Sequence, residues 1–184
     1  MYRRKISHNW KYLLTSVISF IIVAVILLST GRALAQDSPE AVVNQFYQWY
    51  LKTESVTRQF SQQKAAFDPE LYTQLVQAWA KQPGQDAEFV DFDVFSGTQV
   101  GMVKAVVRSV KQPWQDHTAE VDMDLYAGRL RNGQMVQVGD KPVTVKVLME
   151  KKENTAWRIR NLVYAQGNWD NLLCILRGIN RAAR

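Results

Sequence analysis

The sequence predicts an α+β domain: two to three N-terminal helices packed on a four-stranded antiparallel sheet, with a C-terminal helix. Two observations carry this. Apolar residues recur at helical spacing from Ser38 to Lys52 and again from Asp68 to Trp79. From Met102 onward the period changes to two, so each strand has one apolar face that something must cover. The first helix is the first available cover.

Taken in order, residues 1–12 carry bases and Leu13 to Ser29 are almost wholly apolar. Thr30-Gly31-Arg32-Ala33-Leu34-Ala35 then sets small residues at the −3 and −1 positions before Gln36. This is the layout of a secretory signal peptide cut at Ala35–Gln36. The rival is an uncleaved inner-membrane anchor over residues 13–29, basic end in the cytoplasm. Residues 1–35 are therefore expected to be a signal peptide or anchor, and 36–184 a single α+β domain. The export is to the periplasm or the extracellular space.

In the first helix, Ser38 is suited to the N-cap and Pro39 to the first turn, and Val43, Phe46, Tyr47 and Tyr50 share one face. Glu54 to Gln63 is polar and only weakly helical. Asp68-Pro69-Glu70 repeats the opening device, Leu71, Leu75 and Ala78 with Tyr72, Val76 and Trp79 supply apolar faces, and Pro83-Gly84 stops the helix. In the aromatic and acidic connector Phe89 to Gln99, Asp91 and Asp93 stand two apart, which in a strand puts both carboxylates on one face. Without further oxygen ligands at fixed spacing, they are expected to cap turns around buried Phe92 and Phe95.

Val103, Ala105 and Val107 open the alternating region. After a break at Pro113 come Ala119, Val121, Met123 and Leu125, then Val143, Val145, Val147 and Met149, then Trp157 and Ile159. Asn132-Gly133 and Glu153-Asn154 mark hairpin tips. Outward-facing Glu120, Asp122 and Asp124 are expected to pair with Lys146, Arg158 and Arg160 across strands. The tail from Asn168 to Arg184 forms a helix with Leu172, Ile175, Leu176 and Ile179 on one face and Arg177, Arg181 and Arg184 as a basic stripe. The expectation is that it docks on the domain rather than on anionic lipid. Cys174 is the one cysteine, which excludes an intramolecular disulfide and allows an intermolecular one; it lies roughly opposite the apolar stripe and is expected to be partly exposed and inert.

The formal charge of +6 comes from 23 bases against 17 acids. Arg3, Arg4, Lys5, Lys11 and Arg32 precede the cut, and removing those five leaves 18 bases against 17 acids. The basicity belongs to the targeting segment, so nucleic acid is not an expected partner. Membrane contact is expected only through an uncleaved N-terminus.

The order of elements, with the stretches S-P-E-A-V-V-N-Q-F-Y-Q-W-Y-L, D-F-D-V-F-S-G-T-Q, V-T-V-K-V-L-M-E and W-R-I-R, resembles the nuclear transport factor 2-like (cystatin-like) superfamily. More narrowly it resembles the bacterial envelope family called domain of unknown function 3828, over Pro39 to Leu176. The resemblance implies a cone-shaped fold with a curved sheet and an envelope location. It implies no reaction. Val94 stands where the family pattern has proline, and no lipobox cysteine is present.

The expected function is a non-catalytic binding or accessory domain of the cell envelope, without a cofactor or metal. Its partner would be a small apolar ligand or an envelope protein. Tyr47, Tyr50 and Trp157 are the candidates for lining an apolar pocket. An isomerase or hydrolase is the alternative, and it would need an acid or base inside that pocket. His117, the one histidine left after cleavage, sits in a turn. A periplasmic inhibitor or immunity protein is the third reading, with Trp49, Trp79, Trp114 and Trp169 as anchors.

Overall fold

The structure is a computed structural model that describes residues 38–53, 55–81, 92–112, 117–153, 155–165 and 171–182. The signal peptide or anchor, the stops at Pro83-Gly84 and Pro113, Asp91, Trp114, Asn154, Trp169 and Arg184 lie outside these residues. Helix α1 (Pro39–Lys52) starts where Ser38 Oγ accepts from the Ala41 N–H at 3.1 Å. After it come the single turn α2 (Val56–Gln59) and a 3-10 helix (Phe60–Ala66), so the weakly helical stretch is helical through Ala66. Helix α3 (Pro69–Ala80) is capped by Asp68, whose Oδ1 accepts from the Glu70 N–H at 2.9 Å. Helix α4 (Leu172–Ala182) closes the chain.

The sheet has five antiparallel strands, not four. They are β1 (Met102–Lys111), β2 (Thr118–Arg131), β3 (Gln134–Gln137), β4 (Val143–Glu150) and β5 (Arg158–Tyr164). The order is β1-β2-β4-β5, with β3 paired to the far end of β2. The additional strand forms because Asn132 and Gly133, both at positive φ (52° and 78°), fold Gln134–Gln137 back on Gly128–Arg131. Every residue of β3 is exposed, so burial alternation carries no trace of it.

Ala119, Val121, Met123, Leu125, Val145, Val147 and Met149 all point inward, against Val43, Phe46, Tyr47, Leu71 and Leu75. Helix α1 lies across β1, β2 and β5, while α3 and α4 pack on each other and on β5. Each buried aliphatic side chain contributes about 1.5–3 kcal/mol. In β5 the inward set starts at Ile159, but a bulge near Arg160 (Met149 opposes Ile159 and Leu148 opposes Asn161) moves it to Leu162 and Tyr164.

The outward charges pair differently from expectation. Lys146 Nζ meets Glu120 at 2.8 Å as expected, but Asp122 and Asp124 face Arg108, each at 3.6 Å. Arg160 meets Glu150 at 3.4 Å, and Arg158 has no ion pair among the described residues. The reason is topological: β4 stands between β2 and β5, so neither arginine of β5 reaches the acids of β2. At the C-terminus, Leu172 and Leu176 are buried, Arg177 pairs with Glu70 of α3, and Cys174 is exposed. The helix docks on the domain.

Candidate ligand-binding site

Tyr47, Tyr50 and Trp157 are all buried. The Tyr47 hydroxyl donates to the Phe95 carbonyl at 2.8 Å, and the Tyr50 hydroxyl donates to Asp93 Oδ2. Tyr164 adds a third such bond, to the Val94 carbonyl at 2.6 Å. Asp93 Oδ1 accepts from the Phe95 N–H at 2.8 Å, the turn-capping role expected of it. The three phenols therefore grip one tight turn, Asp93 to Thr98, whose Gly97 sits at φ 69°. Burial pushes all three hydroxyls well above the usual tyrosine value, and the Asp93 charge adds to the effect. They are held protonated as donors, which suits structure and not proton abstraction. Tyr47 and Tyr50 join Phe46, Phe60, Phe67 and Phe95 in a largely edge-to-face aromatic cluster, with Phe46–Phe95 and Phe60–Phe67 both at 4.9 Å, while the Tyr164 ring meets Phe92 edge-on at 5.7 Å. None of Tyr47, Tyr50 and Trp157 lines the clefts described next.

Two clefts among the described residues lie on the helical side. A cleft of 640 Å³ forms where the 3-10 helix hands over to α3 beside the start of β5. Phe67 and Asp68 run along the β5 edge there, with the Asp68 N–H bonded to the Ile159 carbonyl at 2.9 Å. The 3-10 helix supplies Ser61, Gln62 and Lys64, and α3 supplies Pro69, Tyr72 and Thr73. Phe67 and Arg158 complete the wall. A second cleft of 390 Å³ shares Ser61 and Tyr72 with the first and continues past Arg58, Val76 and Trp79. Tyr72 lies flat on Phe60, ring centres 5.2 Å apart with 13° between the planes, so the shared wall rests on the buried core.

Charge on this surface is one-sided. Lys64 and Arg158 line the larger cleft and Arg58 the smaller, and neither has an Asp, Glu, His or Cys in its wall. The Lys64 ammonium sits over the Tyr72 ring at 5.8 Å. Arg158 Nε is buried with no hydrogen-bond acceptor. Acids near the cleft are engaged elsewhere: Glu70 with Arg177, Glu150 with Arg160, Asp68 with the α3 backbone. A third cleft, 320 Å³, lies along the β2–β3 hairpin between Arg129 and Val138.

The other sequence candidates are not drawn together. His117 is an exposed turn residue whose carbonyl accepts from Lys151, Trp49 is half-buried on α1, and Trp79 alone edges a cleft. Among the described residues no group of three or more His, Cys, Asp or Glu is placed to hold a metal. Likewise no described helix is long and apolar enough to cross a membrane. Sequence reasoning missed Lys64, Tyr72 and Arg158 as a group. No local pattern pointed to them, because their meeting depends on how β5 packs beside the 3-10 helix.

The α+β architecture and a cationic, aromatic-walled cleft define the molecule this far. Compared with protein-family models, curated proteins and solved structures, the chain matches none of them.

Proposed function

We propose that this chain is a non-catalytic binding or accessory domain exported to the bacterial cell envelope, built as a nuclear transport factor 2-like cone of the domain of unknown function 3828 type. The observation that carries the binding reading is the pair of clefts around Tyr72: open, preformed, and walled by rings, hydroxyls and cations. Their size is that of a small-molecule site, and the titratable groups in their walls are Arg58, Lys64, Tyr72 and Arg158, with no carboxylate or imidazole among them. On the sheet side, the inward faces of β2 and β4 are filled by Ala, Val, Met and Leu with no titratable group between them. Export rests on the basic, apolar and A-x-A succession of residues 1–35.

Two measurements test the reading. Thermal unfolding in the presence of envelope extracts, lipids and peptidoglycan fragments is expected to shift upward with at least one fraction. No shift with any of them would remove the ligand-binding reading. N-terminal sequencing of the protein recovered from a periplasmic fraction is expected to begin at Gln36. Recovery in the cytoplasm with Met1 intact would remove the export.

A further inference from the structure

Resting on the binding reading above, the geometry points to a ligand class: we propose that the two joined clefts hold an anionic amphiphile, a single hydrocarbon chain ending in a phosphate or carboxylate. The head lies between Lys64 and Arg158, and the chain crosses Tyr72 toward Val76 and Trp79.

Three observations converge on this. The first is unmatched charge. Arg158 has no ion pair among the described residues, its Nε lacks an acceptor, and the acids around it are bound to other partners. A guanidinium in a half-buried wall without a counter-ion is a standing demand for one, and a phosphate or carboxylate meets it with charge-assisted hydrogen bonds. Second comes the Ser61 hydroxyl in the same wall, a donor that suits a remaining oxygen of such a head. The third is the wall beyond Tyr72, where Phe60, Val76 and Trp79 stand beside Thr57 and Arg58 and Val76 is 41% exposed. Apolar surface of this kind next to a cationic cleft fits a molecule that carries both a hydrocarbon chain and an anionic head.

The test uses the protein purified as expressing cells process it. Isothermal titration with decyl phosphate below its micellar concentration is expected to give saturable binding. Decanol, the same chain without charge, and inorganic phosphate, the head without a chain, are each expected to bind at least about tenfold more weakly. The variants R158Q and K64Q weaken decyl phosphate by about tenfold each, while R158K retains most of the affinity. Lys64 is exposed, so K64Q carries the test should R158Q fold poorly. Decanol binding as tightly as decyl phosphate, or indifference to both charge removals, overturns the proposal. So does binding to phosphatidylglycerol vesicles without binding of the monomeric amphiphile, which would mean a membrane-docking face instead. A compound from the extract screen that raises the melting temperature equally in wild type, R158Q and K64Q would sink this assignment and leave the binding reading standing. Failure of decyl phosphate together with every extract would sink both.

Discussion

Asp93 holds two donors at once, the Tyr50 hydroxyl on one carboxylate oxygen and the Phe95 N–H on the other. Asp93→Ala leaves both without a partner, and the expected loss is about 2–4 kcal/mol by urea denaturation. Tyr50→Phe leaves a carboxylate that water can still reach, so its cost is expected nearer 1 kcal/mol. The phenols also give the fold a pH limit. Their folded pKa values are raised above the unfolded value, so their contribution is complete below pH ~10 and is lost as pH climbs beyond it, where only the unfolded chain gives up the protons. The urea midpoint should therefore drop above pH ~10, and less steeply in Tyr164→Phe. Gly97 is a third case: at φ 69°, with an added Cβ only 2.6 Å from the Tyr164 ring, Gly97→Ala is strained in backbone and packing together. A loss of about 2–3 kcal/mol is expected.

Helix α4 separates the worth of apolar and charged contacts. Leu176 is buried in the core, whereas Arg177 meets Glu70 at a position where both side chains are about half exposed. Leu176→Ala should cost about 2–4 kcal/mol and Arg177→Ala under about 1 kcal/mol. One turn further on, the Asn180 side-chain NH2 donates to Gln74 on α3 and its backbone carbonyl accepts from Lys81. At this scale the sequence is informative where burial follows a period. Ser38-Pro39 and Asp68-Pro69 mark helix starts, and alternation gives the inward faces of β2 and β4. It is silent where the period breaks. The bulge near Arg160 arises from register against β4, and β3 arises from the Asn132-Gly133 turn with no burial of its own. Phe60 stands between Gln59 and Ser61 and Phe67 just before Asp68-Pro69, so these core residues belong to no helical or alternating apolar stripe.

Over the whole molecule, strand order decides which charges meet, and no local pattern encodes that order. Arg158 therefore looks in sequence like one more outward arginine. Only the packing of β5 beside the 3-10 helix sets it opposite Lys64, which is why the cleft was illegible while the helices were not. The β2–β3 hairpin adds a separate expectation. Leu130 is 67% exposed and Val138 52%, so polar replacement of both should leave the urea midpoint within about 0.5 kcal/mol of wild type.

The two margins of the sheet are unequal. Along β5, Phe67 and Asp68 already engage the outer edge at Ile159, while β1 has β2 as its one strand neighbour among the described residues. A second copy that zipped onto β1 through its own β1 would leave at each end a β5 margin interrupted at Ile159. Strand-by-strand association by that route uses up the clear long edge in its first pairing, which works against growth into a fibre.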